Sequence, residues 1–168
     1  MEFDDVVKNR YSVRGFKDKA VEDEKIKAIL EVARFSPTAV NFQPFKLFVI
    51  DTIKNKDALL KIYNKDWFVE APVVIGIAVN KDEAWTRPWD GKFFGDVDAS
   101  IVMTEIILKA TDLGLGTCFI GAFNSEAASE FLGLDDNWEA VLFTPLGYGD
   151  AEPRENTHKS LEELVVFK

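Results

Sequence analysis

The chain has 168 residues, 47% of them hydrophobic and 29% charged, and a formal net charge of −9. This length and composition predict one globular domain, over residues 1–168, with a substantial core. The acidic balance argues against a general nucleic-acid or anionic-membrane binder, because both depend on an excess of Lys and Arg. Any anionic ligand must therefore be held by a local cluster of positive charge.

Cysteine usage and the N-terminal composition bear on the cellular compartment. The single cysteine, Cys118, excludes an internal disulfide framework and agrees with a reducing cytoplasm. The acidic start at Met1–Asp5 is unlike a signal peptide, and no apolar run is long enough to span a bilayer. A lone cysteine and a lone histidine, His158, give no metal-ligand cluster. We therefore expect a cytoplasmic protein without a metal or a membrane partner.

Apolar spacing predicts helices and strands in mixed order along the chain. Helical spacing is found over residues 3–9, 22–35, 54–63 and 96–113, and from Asn124 or Ser125 to Leu132. Short β-branched or apolar runs predict buried strands at 47–50, 73–79, 117–120 and 139–146. Pro37 should end the second helix and Gly114 the long fourth one. This intermixing predicts an α+β fold.

Two further segments stand out by composition. Residues 80–95 form a long polar and aromatic loop with Trp85 and Trp89, and loops of that length are usually functional or mobile. The chain closes on the apolar run Leu164–Phe167. Because such a run seldom stays in solvent, we expect it to dock as a strand or against a partner.

The segment Arg10–Arg14 is the first candidate for a binding site. If it runs extended, Arg10, Ser12 and Arg14 share one face, while Tyr11 and Val13 point toward a core. Two guanidinium groups flanking a hydroxyl suit a phosphate and the polar groups attached to it. The alternative is a surface strand held by ion pairs.

The loop Pro37–Pro44 is the second candidate. Asn41 and Gln43 offer amide donors and acceptors on a backbone stiffened by prolines, and these groups match the alternating edge of a flavin pyrimidine. An ordinary surface turn is the alternative.

The stretch Gly114–Gly121 is the third candidate, since its glycines permit close approach of backbone to a flat ring. A helix stop followed by a turn explains the same glycines, and the order of elements does not fit a dinucleotide fingerprint. Within it, Cys118 is expected to be a buried, inert thiol. The fourth candidate is the segment Arg154–Ser160, which either supplies one more cation or is a solvated basic stretch.

Together, in this order, the four segments resemble the nitroreductase family of flavin mononucleotide (FMN) enzymes, over essentially the whole chain. The resemblance is carried by Asn9–Arg14, Phe35–Phe45, Asp112–Phe123 and Leu161–Val165, the last corresponding to a closing strand. It implies a three-layer fold, with a central mixed β-sheet flanked by helices, in an intertwined homodimer. It also implies that FMN lies at the subunit interface.

The resemblance also implies which residues hold the cofactor. One chain is expected to contribute Arg10, Tyr11, Ser12 and Arg14, and the other chain Pro37, Thr38, Ala39 and Asn41. Ile120 and Gly121 are expected beside the ring, and Lys159 near the phosphate. The family commonly has an arginine at that last position, so His158 and Lys159 both remain candidates.

The implied activity is hydride transfer from NADH or NADPH, through flavin N5, to a small acceptor such as a nitroaromatic or a quinone, in two ping-pong steps. No side chain is assigned as a catalytic acid or base, because the flavin makes the bonds. The alternatives are a module that binds or stores flavin and a redox-silent family member.

Overall fold

The computed structural model describes residues 1–153 and 158–168. Its helices are α1 (Phe3–Asn9), α2 (Asp23–Arg34), α3 (Thr52–Ile62), α4 (Gly95–Asp112), α5 (Ser125–Leu132) and α6 (Leu161–Leu164). Its strands are β1 (Phe45–Asp51), β2 (Val73–Asn80), β3 (Gly116–Thr117) and β4 (Trp138–Gly147). Every helix predicted from apolar spacing is confirmed, as are the strands predicted at 47–50, 73–79 and 139–146, with small differences at the ends. The strand predicted at 117–120 is confirmed only at Thr117, because β3 ends there and Ile120 makes an isolated bridge to Phe143.

The strands form one sheet in the order β1-β2-β4-β3, and the named strands pair antiparallel. The continuous apolar run of β2 lies inside this sheet, paired on both sides. Gly76 of β2 is opposite Phe143 of β4, and a Cβ on Gly76 would lie 2.7 Å from the Phe143 ring. An isolated parallel bridge outside the named strands joins Ser12 to Thr117.

Alternation along β2 builds a core on each face of the sheet. Ile75, Ile77 and Val79 pack on the side of α2 and α4, while Val74 faces α3 and α5 together with Phe143 of β4. These side chains are fully buried. Replacing Phe143 with Ala would cost about 3–5 kcal/mol because a cavity remains. The predicted three-layer arrangement is therefore confirmed.

Helix α4 is apolar on most faces, as predicted. It ends where Gly114 adopts the left-handed conformation, with φ +74°, and Leu115 N–H donates back to the Ala110 carbonyl at 2.9 Å. Within residues 1–153 and 158–168, no helix combines the length and the apolarity needed to cross a bilayer.

The prediction of a closing strand at Leu161–Val165 is wrong. Ser160 and Glu163 form a capping box, and residues Leu161–Leu164 make one helical turn, α6. The three-residue spacing of Leu161 and Leu164 suits a helix rather than a strand. The residues after α6 are exposed, with 94% of the Phe167 surface accessible.

Candidate active site

The Arg10–Arg14 segment leaves α1 at Arg10 and runs extended along the sheet, as predicted. Ser12 bridges Thr117, and Val13 N–H donates to the Thr117 carbonyl at 2.8 Å. Val13 is buried, and the Tyr11 hydroxyl donates to the Ala151 carbonyl at 2.8 Å. The alternation places Arg10, Ser12 and Arg14 on the other face, and we call these three residues the cationic strip.

The cationic strip is electrostatically uncompensated among the described residues, where neither of its guanidinium groups forms an ion pair. The Arg14 guanidinium lies 5.9 Å from the centre of the Trp67 ring and donates a long bond, 3.5 Å, to the Ser12 carbonyl. The alternative of an ion-paired surface strand therefore finds no support in this part of the chain.

Cys118 lies beneath the cationic strip. It is 4% exposed, and burial raises the pKa of its thiol, while the charges of Arg14 and Arg10 act in the opposite direction. Cys118 directly follows Thr117, the bridge partner of Ser12, so its buried thiol lies next to the strip. The predicted burial of Cys118 is confirmed, whereas its position against the strip was not foreseen.

The stretch Gly114–Gly121 contains β3 and packs directly against the Arg10–Arg14 segment. A Cβ on Gly116 would lie 2.8 Å from Val13 Cγ2, so the close approach of the two segments requires glycine there. Beyond it, Ile120 exchanges two backbone hydrogen bonds of 3.0 Å with Phe143 and is buried, and Gly121 follows at the surface. The structure thus brings the first and third predicted segments together.

The Pro37–Pro44 loop is tightly wound and strained. Its centre is a 3₁₀ turn over Ala39–Asn41, closed by the Asn41 N–H bond to the Thr38 carbonyl at 3.0 Å. Val40, Asn41 and Gln43 have φ values of 55°, 58° and 51°, in the left-handed region. This conformation costs roughly 1–2 kcal/mol in most residues with a Cβ, so Val40 and Gln43 are strained whereas Asn41 tolerates it, and such strain concentrates at functional sites. The ordinary-turn alternative does not explain this cost.

Two carboxylates of α4, which sequence reasoning missed, hold this loop. Ser36 Oγ donates to Glu105 Oε2 at 2.6 Å, and Ala39 N–H donates to Asp98 Oδ1 at 2.8 Å. Burial raises the pKa of Asp98, and the bond from Ala39 opposes the rise. The two acids are seven residues apart in α4, so they lie on one face of the helix, and that spacing was the available signal.

The segment 80–95 is an ordered hairpin rather than an irregular loop. Thr86 bridges Phe93, and an ion pair joins Arg87 to Asp90 across the turn. The turn presents Trp89 with 86% of its surface exposed. Asn80 N–H, at the start of the segment, donates to the Pro44 carbonyl at 2.8 Å, so the segment begins beside the strained loop.

The fourth predicted segment is described in part. Residues 154–157 lie outside the described residues, while His158 and Lys159 are exposed just before α6. In the described part of the chain, no group of three or more His, Cys, Asp or Glu residues is arranged to hold a metal ion.

An apolar groove runs along the outer face of α4, with a volume of about 1060 Å³. We call it the α4 groove. It is lined by residues of α1, α2 and α4 together with the chain start: Met1, Phe3, Val6, Val32, Asp96, Val97, Ser100, Ile101, Thr104, Glu105, Leu108, Lys109 and Asp112.

Comparison with known proteins decides the family. The sequence profile of the Nitroreductase family matches residues 7–70 and 53–148. The chain belongs to the nitroreductase family. A crystal structure of a family member from Clostridium difficile 630 is 37% identical and superimposes with a TM-score of 0.93, covering 100% of this chain and 99% of that one.

Two other relatives carry informative names. An FMN-dependent nitroreductase from Clostridium difficile R20291 is 27% identical, with a TM-score of 0.79 and 96% of both chains covered. An NADPH-dependent oxidoreductase of Staphylococcus aureus is 24% identical over 96% of this chain and 69% of its own length. The family profile spans three of the four segments that carried the resemblance, and Leu161–Val165 lies beyond it.

In this nitroreductase-family chain, the strained loop and the cationic strip meet α4 at opposite ends. The loop is held by Asp98, in the first turn, whereas the strip pairs with Thr117, five residues beyond the last residue of the helix, Asp112. Asp98 and Asp112 are 14 residues apart, and because an α-helix rises 1.5 Å per residue, they lie roughly 20 Å apart along the helix. Within one chain the first and third predicted segments come together, and the second does not join them.

Proposed function

We propose that this chain is an FMN-dependent oxidoreductase that takes a hydride from NADH or NADPH and passes it to a small electron acceptor. The observation that carries the proposal is the cationic strip: two guanidinium groups flank a hydroxyl on one face of an extended segment, without ion pairs among the described residues, in a chain of net charge −9. Fixed cations with a neighbouring hydroxyl suit a phosphate monoester. The names of the FMN-dependent and NADPH-dependent relatives support the same conclusion.

The residues present fit FMN in their donor chemistry. Arg10, Ser12 and Arg14 would hold the phosphate and its polar neighbours, with Tyr11 fixing the strip through its bond to Ala151. The buried thiol beside them carries no competing negative charge, since burial raises its pKa. An exposed Lys159 would add a further cation.

The strained loop would meet the polar edge of the ring. Asn41 is exposed in a left-handed turn, so its amide is available to a ligand, and Pro37, Thr38 and Ala39 build the turn that aims it. Ile120 and Gly121 would line the other side, where the chain passes from buried to exposed.

Bound FMN would supply the hydride chemistry, and this chain would supply position and charge. Arg14 is exposed and without a carboxylate partner among the described residues, so it would favour negative charge that develops nearby. No acid or base is required of the protein. We propose that donor and acceptor use the same face in turn, which predicts parallel lines in double-reciprocal plots.

We further propose that the site is completed by a second copy of the chain. The strip and the loop are separated by roughly 20 Å within one chain, by the rise of α4, whereas a small cofactor must touch both. The α4 groove offers an apolar surface for a two-fold contact in which the same helix packs on its copy. In that dimer, the strip of one protomer would face the loop of its partner.

The chain end supports an intertwined dimer. Leu161, Leu164, Val166 and Phe167 are exposed apolar side chains, 62–94% accessible, in or after α6. Strand β1 is paired on one side, by β2, and its Val49 is 44% exposed. We propose that the residues after α6, Val165–Phe167, dock on the β1 edge of the partner, where unpaired backbone groups can bind an extended segment.

The visible spectrum of the purified protein tests the proposal. Protein incubated with FMN and then desalted should stay yellow and show the two flavin bands. It should bleach under argon with NADH or NADPH and regain colour with a nitroaromatic or a quinone. Colourless protein contradicts the FMN assignment. Flavin that binds and bleaches, but turns over no faster than free FMN, would favour a flavin-binding or storage module.

A further inference from the structure

Asp98 is the one carboxylate that is buried in the described part of the chain. It lies in the first turn of α4 with 1% of its surface exposed. Its Oδ1 accepts a hydrogen bond from Ala39 N–H at 2.8 Å, while Oδ2 is buried without a partner among the described residues. Burying a carboxylate with one hydrogen bond is costly, so packing alone gives no reason for an acid here.

The bond from Ala39 reaches the strained loop where it turns. Ala39 is followed by Val40 and Asn41, both left-handed, and the Ala39 carbonyl accepts from Phe42 N–H at 3.2 Å. A β-branched residue such as Val40 strongly disfavours this conformation, so the surrounding structure must impose it. Asp98 supplies a fixed acceptor at the start of the left-handed run.

A second bond from the same face of α4 fixes the preceding residues. Ser36 is buried and donates to Glu105 at 2.6 Å, two helical turns from Asp98. The rigid helix thus holds the loop at two points, Ser36 and Ala39. Glu105 also lines the α4 groove, so the loop and the proposed dimer interface share this residue.

We infer that Asp98 is a positioning residue for the flavin: its carboxylate holds Ala39 so that the Ala39–Asn41 turn keeps the geometry in which it meets the cofactor. The inference rests on the proposed function for its ligand, and on the contacts of Asp98 for its mechanism. Asp98 need not touch the cofactor, because it acts through the backbone of the loop. On the same helix, Glu105 holds Ser36, whereas Val102 serves the core.

Two substitutions at position 98 and one control test the inference. Asp98→Ala removes the acceptor, whereas Asp98→Asn keeps a carbonyl oxygen that can still accept from Ala39. Val102→Ala is the matched control, since Val102 is fully buried one turn further along α4 and serves the core. Val102→Ala should lower the stability of the protein while leaving the bond from Ala39 to Asp98 intact.

Two measurements are made on each variant: the dissociation constant of FMN from flavin fluorescence, and the exchange rate of the Ala39 amide hydrogen in the flavin-free protein by NMR. Asp98→Ala should raise both by at least about tenfold, as expected when a backbone N–H loses its buried acceptor. Asp98→Asn should change both by less than about threefold, because the acceptor is retained. Val102→Ala should leave FMN affinity within about threefold of the wild type.

The outcomes separate this inference from the proposed function. Asp98→Ala protein with the affinity and Ala39 exchange of Val102→Ala overturns the positioning role. A loss as large in Asp98→Asn as in Asp98→Ala overturns the assignment to the Ala39 bond. Wild-type protein that binds no FMN overturns the proposed function, and the Ala39 exchange rates then decide whether Asp98 holds the loop.

Discussion

Val13 packs so closely against Gly116 that any side chain at residue 116 would collide with it, the first added atom lying 2.8 Å from Val13 Cγ2. The contact is reinforced by the Val13 N–H bond to the Thr117 carbonyl. Through these two contacts the end of β3 determines where the cationic strip lies. A glycine outside the strip therefore controls its position.

Gly116→Ala should destabilise the protein by roughly 1–3 kcal/mol, because one methyl group is forced into a filled site. Urea denaturation followed by far-UV circular dichroism measures the loss. Gly121→Ala is the control, since a Cβ there would meet Leu142 Cδ2 at an ordinary 3.6 Å. Adding Val13→Ala to Gly116→Ala should recover part of the lost stability. A Gly116→Ala protein as stable as the wild type would contradict the steric argument.

Arg10→Ala should weaken FMN binding by roughly 1.5–3 kcal/mol, as expected when a charged hydrogen-bonding partner of a phosphate is lost. Fluorescence titration of the flavin-free protein measures the change. Lys61→Ala, which removes one charge from the exposed face of α3, controls for the general loss of positive charge. Equal affinities for the Arg10 and Lys61 variants would show that the strip does not bind the phosphate.

Ile101→Glu should separate the proposed dimer into monomers, because Ile101 lines the α4 groove and its replacement buries an unpaired charge there. We expect the dimer dissociation constant to rise by at least about a hundredfold. Sedimentation velocity over a range of concentrations measures it. Ile53→Glu is the control, since Ile53 is 86% exposed on α3, outside the groove. A dimeric Ile101→Glu protein would place the interface elsewhere.

Replacing Val166 and Phe167 together with Ser should weaken the dimer without unfolding the protomer, because both side chains are exposed in the single chain. Burial of each against a partner is worth about 1.5–3 kcal/mol. The same sedimentation experiment measures the effect, with Lys168→Ala as the control. Unchanged association would show that the chain end does not dock on the partner.

Asp112→Asn should flatten the loss of stability in acid. The Lys109 ammonium, and then the Met1 amine, lower the pKa of Asp112 from 3.8 to about 2. Because the pKa of Asp112 is lower in the folded than in the unfolded state, its ionised carboxylate stabilises the folded protein at pH values above the unfolded pKa of 3.8. This contribution is lost as the pH falls from 3.8 toward 2. Urea denaturation at several pH values in this window measures the slope. Asp57→Asn on α3 is the control, and equal slopes for the two variants would contradict the prediction.

Elements that rest on local signals were predictable from the sequence. Helix α4 was expected over residues 96–113 and runs Gly95–Asp112, because its apolar pattern is strong and Gly114 gives a clear stop. The alternation that buries Val13 was likewise visible. In the closing segment a strand was predicted, but the Ser160–Glu163 capping box stabilises a helical turn there in spite of the β-branched residues that follow.

Features that depend on distant contacts were not predictable. Nothing local in Val40 signals a left-handed conformation, since it arises from bonds that the loop makes with α4. Asp98 passed unnoticed because it is one acid in an apolar stripe, and its bond to Ala39 spans 59 positions in the chain. The closeness of Cys118 to the strip likewise follows from a distant contact, the bridge between Ser12 and Thr117.

Helix α4 has consequences for how this protein tolerates amino-acid change. One side of it faces the sheet, another lines the α4 groove, and Asp98 and Glu105 grip the loop, so few of its positions are idle. A saturation library over Gly95–Asp112 should therefore return few active sequences. Substitutions at the exposed positions of α3 and α5 should be tolerated more often, because a new side chain there faces solvent.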